Sequence, residues 1–256
     1  MADSGTARDQ SVHGLEAIKR HALEHKLDMS MWAMRAAVVL FTFAYFIPII
    51  GNPYNAYYRV LLAYATTGAI RLHQRLPQPV ISKEFLMLLF SEDSFHYLLY
   101  SLIFLYVTPV TLVLLPVFLF SLVHFASYSL SLLDLLGPNS WWGARIIISL
   151  VEFQTRNILR LIAFTEIFLM PFVILLLFMG RAGLLTPLVY FHFLTLRYSS
   201  HRNPHTRNMF RELRFTTEAL ANKPSVPSVI RSIIFSAIQF ICRLAPQPLP
   251  ETPRQQ

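Results

Sequence analysis

The chain has 256 residues, 54% of them hydrophobic and only 14% charged, and a mean hydropathy of +0.47. Soluble domains carry about 25% charged residues, and disordered segments are poor in Phe, Leu and Ile. With eight Gly and the single Cys242, collagen-like and disulfide-framework chains are also excluded, which leaves an integral membrane protein or an unusually apolar soluble one.

Residues 1–30 read as a polar tail rather than a secretory signal, because Glu16, Glu24 and Asp28 interrupt the place of an apolar core. Within it, Gly14 to Met29 can form a short amphipathic helix supported by the Glu16–Arg20 pair, although a frayed tail is favoured. A bilayer crossing needs about 20 apolar residues. Met31 to Ile50 meets this, with Arg35 placed to snorkel, and Pro48 and Gly51-Asn52-Pro53 end it. Tyr57 to Ile70 is too short to cross comfortably and suits the interface, a re-entrant turn or packing on the bundle.

Phe95 to Leu136 is about twice the length of one span. It is either one tilted crossing with an interfacial extension or a hairpin bent at Thr108-Pro109 or near Pro116, and the hairpin is favoured. Ile158 to Met179 is a further span, closed by Gly180 and Arg181, and Leu184 to Leu196 is another short stretch. The fold expected is therefore an all-α integral membrane protein with three to five membrane-inserted helical elements. Its domain plan is a polar tail over 1–30, a helical membrane domain over 31–200, a basic cytosolic region over 201–246 and a disordered tail over 247–256.

Charge bears on orientation. There are 22 Lys+Arg against 14 Asp+Glu, a formal +8. Ten basic residues and only Glu212, Glu218 and Glu251 lie between 180 and 256, so the C-terminal region is expected in the cytosol. The 137–157 loop, with only Arg145 and Arg156, suits the lumen and three crossings with the N-terminus outside. Lys19, Arg20 and Lys26 argue the other way, and a central hairpin would return the N-terminus to the cytosol.

Ser228 to Leu244 is the most legible functional feature. Ile230, Ile233, Ile234, Ala237, Ile238, Ile241 and Leu244 recur at helical spacing on one face. Arg231, Gln239 and Arg243 make the stretch a poor crossing, so an amphipathic helix in the headgroup region is favoured over packing on the bundle or on a protein partner. Arg207, Arg211 and Arg214 share a helical face upstream. With Arg202, Arg231 and Arg243 they are the expected contacts to anionic lipid, each basic group contributing about 1 kcal/mol near such a surface. Nucleic acid is not expected as a partner.

Glu166 lies inside a span, where a carboxylate must face protein or be neutral. It is either an ion-binding or proton-relay group or, as favoured, an acid hydrogen-bonded to a neighbouring helix through Thr165 or a tyrosine. The first option keeps open a small ion channel, transporter or channel regulator. Asp93 and His96 are i,i+3 neighbours, and with Glu92 they suit a helix start better than a metal site. Phosphate loops, His-Glu-x-x-His and Gly-x-Ser-x-Gly motifs are not found. The chain is read as a non-enzyme with no catalytic residue, metal or cofactor.

Several blocks in order carry a family resemblance: Lys26-Leu27-Asp28, Met31-Trp32, Arg71-Leu72-His73-Gln74-Arg75-Leu76-Pro77 and Glu92-Asp93-Ser94-Phe95-His96-Tyr97. Glu166-Ile167-Phe168-Leu169-Met170-Pro171, Leu194-Thr195-Leu196-Arg197-Tyr198-Ser199-Ser200 and Arg243-Leu244-Ala245-Pro246 complete the set. The sequence resembles the transmembrane protein 33 family, also called the Krüppel-homologue-2 or yeast pore-membrane (Pom/Per) family, from about Leu27 to Pro246. The resemblance implies a multipass protein of the endoplasmic reticulum and nuclear envelope. It implies reticulons and nuclear pore components as partners, roles in tubular-network organisation and stress signalling, and a membrane-binding C-terminal amphipathic helix. The function expected is organisation or sensing of membrane shape.

Overall fold

The computed structural model describes residues 16–47, 51–76, 82–136, 147–148, 151, 155–200 and 202–245, and those residues form helices and turns with no strand among them. A helical stretch over 16–24 leads into α1 (Lys26–Phe46). There follow α2 (Pro53–Arg75), α3 (Lys83–Ser91), α4 (Asp93–Leu105), α5 (Thr111–Leu136), α6 (Thr155–Phe178), α7 (Leu185–Ser199), α8 (His205–Ala221) and α9 (Ser228–Leu244). Three of them, α1, α5 and α6, are long and apolar enough to cross a membrane. Most of the tails expected over 1–30 and 247–256, and most of the 137–157 loop, fall outside the described residues.

Local chemistry sets the helix ends. Asn52 caps α2, its side-chain oxygen accepting from the Tyr54 N–H at 2.9 Å with Pro53 at the first helical position. Ser82 caps α3 by accepting from the Phe85 N–H at 3.1 Å. The end of α6 is a Schellman turn: the Arg181 N–H donates to the Leu176 carbonyl and the Gly180 N–H to Leu177. Gly180 takes the left-handed conformation this requires, at φ 70°.

The long apolar run is a hairpin. The chain leaves α4 and turns through residues 106–110, at Thr108-Pro109, while Pro116 lies inside α5. Tyr57 to Ile70 belongs to a 23-residue helix that packs in the bundle, and nine of its residues are buried. At Gly68, where a Cβ would lie 3.2 Å from the Ser94 carbonyl oxygen, α2 and α4 approach closely enough to crowd any larger side chain.

Cross-links between helices fix their directions. Tyr45 near the end of α1 bonds Thr111 at the start of α5 (2.7 Å), and Trp32 near the start of α1 donates to Ser129 near the end of α5 (2.9 Å). The last residue of α2, Arg75, reaches Glu92 at the start of α4, and Ser200 after α7 reaches Asp93. The 106–110 turn meets the end of α6 through Arg181 Nε, which donates to Thr108 Oγ1 at 3.2 Å. Six elements, α1, α2, α4, α5, α6 and α7, thus run alternately up and down. One end holds the end of α1, the start of α2, the 106–110 turn and the end of α6, and the other holds the start of α1, the end of α5 and the starts of α6 and α8. α4 and α7 are the shorter elements, of 13 and 15 residues, and Tyr97 near the start of α4 meets Glu166 in the middle of α6. Between them sits an aromatic core of Tyr57, Tyr100, Phe104, Tyr190 and Phe193, with the Tyr100 hydroxyl donating to the Val113 carbonyl at 2.9 Å.

Candidate functional site

Two features stand apart from ordinary apolar packing. The first is a charged cluster inside the bundle. Glu166 projects from the middle of α6 with 0% of its surface exposed, and Arg197 from the last turn of α7 with 1%. Arg197 Nε donates to Glu166 Oε2 at 3.1 Å, and the Tyr97 hydroxyl donates to Glu166 Oε1 at 2.8 Å. Thr206 at the start of α8 lies 3.4 Å from Oε2. The Arg197 guanidinium stands over the Tyr97 ring at 4.8 Å and extends Nη1 to Asp93 Oδ1 at 3.5 Å, a cation–π arrangement joined to an ion pair. Ser200 donates to the same Asp93 oxygen at 2.8 Å, and the Tyr190 hydroxyl donates to the Glu166 carbonyl at 2.8 Å.

One turn away, Glu92 is buried and accepts from Arg202 Nη1 at 2.6 and 2.7 Å and from Arg75 Nη1 at 3.2 Å. Three carboxylates (Glu92, Asp93, Glu166) thus meet three guanidinium groups (Arg75, Arg197, Arg202), and the cluster is neutral as a whole. Desolvating a charge costs several kcal/mol unless partners replace its water. Here each carboxylate has at least two donors, so the arrangement holds helices together and leaves no carboxylate oxygen of Glu166 without a donor.

The favoured reading of Glu166 as hydrogen-bonded to neighbouring helices holds in its tyrosine form, while Thr165 donates instead to the Leu161 carbonyl at 2.9 Å. Arg197 as its main partner was not anticipated. Asp93 Oδ1 and His96 Nδ1 are 3.6 Å apart, too far for a hydrogen bond, and His96 Nε2 lies 2.7 Å from the Phe90 carbonyl oxygen. No group of three or more His, Cys, Asp or Glu side chains able to hold a metal occurs among the described residues. At the start of α8, burial, then the charges of Arg197 and Arg156, lower the His205 pKa below the ordinary imidazole value, so His205 is neutral at pH 7.

The second feature is α9, which packs on α8 and buries none of its own residues. Ile234, Phe235 and Ile238 are half-buried on the arc that also carries Arg231, whose Nε donates to the Ala221 carbonyl at 2.9 Å. Adjoining that arc, Val229, Ile230, Ile233, Ala237, Phe240, Ile241 and Leu244 form an exposed apolar stripe about 120° wide. Ile233 is 63% and Phe240 62% exposed.

The expected lipid-facing arginines divide by environment. Arg207, Arg211 and Arg243 are exposed without an acidic partner among the described residues. Arg214 pairs with Glu218 at 2.7 Å, Arg231 bonds backbone carbonyls, and Arg202 bonds Glu92.

Residues 10–247 match the family described as Transmembrane protein 33/Nucleoporin POM33. The chain is 52% identical to Krueppel homolog 2 of Drosophila melanogaster over 238 residues, 93% of this chain and 86% of that protein. It is 46% identical to Transmembrane protein 33 of Homo sapiens over 226 residues, 88% of this chain and 92% of that one. With Transmembrane protein 33 homolog of Caenorhabditis elegans the identity is 39% over 236 residues, covering 90% and 86% of the two. No solved structure matches the chain.

Proposed function

The chain belongs to the Transmembrane protein 33/Nucleoporin POM33 family, and from that premise we propose that it is a non-enzymatic organiser or sensor of membrane shape in the endoplasmic reticulum and nuclear envelope. The observation that carries this reading is the exposed apolar stripe of α9, which shares the C-terminal region with the exposed Arg207 and Arg211 of α8. Apolar area and basic charge together are the two weak signals that stable interfacial attachment needs. A helix lying in one leaflet occupies area there without matching area in the other, which favours curved bilayer.

Orientation follows from charge. Among the described residues, Arg71, Arg75, Lys83, Arg156 and Arg202 gather at the bundle end that leads into α8. The opposite end holds Arg181, with Arg59 about a turn and a half into α2. We place the basic end, and with it α8, α9 and the C-terminus, in the cytosol. Reticulon-type membrane-shaping proteins are proposed partners on that side. The nucleoporin in the family's description adds nuclear pore components to them, and tubular-network organisation and stress signalling are the cellular settings.

The test uses the full chain reconstituted into giant vesicles containing anionic lipid, from which narrow membrane tubes are drawn. Enrichment of the protein in the tubes over the parent vesicle, lost in the Ile233→Asp variant, is the expected result. Equal densities of the parent protein on tube and vesicle would sink the reading.

A further inference from the structure

A cavity of about 360 Å³ opens beside the ion cluster, between α2, α4, α5 and the start of α8. Its charge is not balanced. Arg75 and Arg202 on its wall are paired with Glu92, and Asp93, the acid on its lining, is engaged by Arg197 and Ser200. Arg35 and Arg71 also line it, and neither guanidinium has a hydrogen bond or acidic partner among the described residues.

Arg35 is only 7% exposed and lies on α1, a helix long and apolar enough to cross a membrane, so it faces the bundle interior rather than snorkelling outward. A buried charge of this kind needs a counter-charge. The lining also carries hydroxyl groups without a partner among the described residues: Ser121 Oγ, 1% exposed, and the Tyr64 hydroxyl. His124 and His205 border the same space, and the neutral His205 adds no charge but can donate.

We propose that this cavity binds a phosphate monoester, with Arg35 and Arg71 as its charge partners and Ser121 and Tyr64 as hydroxyl donors. Two uncompensated guanidinium groups match a dianion, and the planar fork of Arg suits the geometry of a phosphate. The volume sits at the small end of ligand pockets, enough for one phosphate and a short polar attachment. Floor and rim differ as an entry path requires: Arg35, Tyr64 and Tyr97 are buried, whereas Arg75 and Arg202 are exposed at the mouth. The phosphate has two sources, a soluble phosphate or a lipid headgroup entering from the surrounding leaflet. This site is separate from the α9 stripe and does not depend on it.

The experiment measures the thermal-unfolding midpoint of the full chain, parent and variants, in two arms. In uncharged detergent, inorganic phosphate is titrated. In nanodiscs, phosphatidylcholine alone is compared with the same lipid containing phosphatidic acid, which carries a phosphate monoester, or phosphatidylserine, which does not. A rise with inorganic phosphate supports a soluble ligand, and a rise with phosphatidic acid alone supports a lipid headgroup. In either case Arg71→Gln and Ser121→Ala should bind at least tenfold more weakly. Arg35→Gln should bind no phosphate and, free of a buried unpaired charge, should unfold no earlier than the parent in phosphate-free conditions. Equal rises with phosphatidic acid and phosphatidylserine that survive Arg71→Gln would overturn the proposal in favour of general surface charge. No rise in any arm would overturn it as well.

Discussion

The bundle and α9 invert the usual placement of side chains in opposite ways. In the bundle, Glu166 and Arg197 are ionic groups carried into the interior, Glu166 matched by donors from three other segments and Arg197 by acceptors from two. On α9, Ile233, Phe240 and their neighbours are apolar groups left outside, and none of the described residues covers them. The contrast teaches where each region's partner lies. Glu166 and Arg197 find their partners within the fold, whereas the apolar stripe of α9 has none among the described residues.

The widest break in this comparison should come from Arg197→Met. It strands Glu166 in the interior, and loss of one partner of a buried pair costs about 3–5 kcal/mol, so the thermal-unfolding midpoint in detergent should fall steeply. Adding Glu166→Gln to Arg197→Met should return much of that loss. A double variant no more stable than the single one would mean that the pair is not the source of the effect.

Tyr97→Phe keeps the ring beneath Arg197 and removes one donor to Glu166. A hydrogen bond to a charged group contributes about 1.5–3 kcal/mol, to be read from the midpoint of an SDS titration followed by circular dichroism. Asn52→Ala removes the cap of α2 at the opposite end of the bundle, and a lost N-cap costs about 1 kcal/mol. A calorimetric comparison should place it clearly below Tyr97→Phe. The smallest stability change should belong to Ile233→Asp, within about 0.5 kcal/mol of the parent, as for surface positions away from the core. The same variant should show the largest loss of tube enrichment. If instead it lowered the unfolding midpoint strongly, α9 would be part of the bundle and the comparison between the two regions would collapse.

Much of this molecule is local and can be read from periodicity. Met31 to Ile50 and Ile158 to Met179 anticipate α1 and α6 to within a few residues, and Thr108-Pro109 marks the hairpin bend because a Pro-containing break outweighs apolar continuity. The face of α9 follows from spacings of three and four, which place its apolar residues on one side wherever the helix lies. Tyr57 to Ile70 is less legible. Its tyrosines and threonines lower its hydropathy, and only contact with α1 and α4 turns it into an interior helix.

What the sequence determined by itself is thus the helices, their ends and the amphipathic character of α9, since all of these depend on residues within a turn or two of each other. The partners of the charges were decided by tertiary structure alone. Glu166 and Arg197 are 31 residues apart, Asp93 and Arg197 104, and Glu92 and Arg202 110. No periodicity links such positions. Whether Arg35 snorkels outward or faces a cavity, and whether Arg202 meets lipid or Glu92, depends on which helix ends are brought together when the six elements alternate. Burial then sets the cost of leaving any of those charges alone.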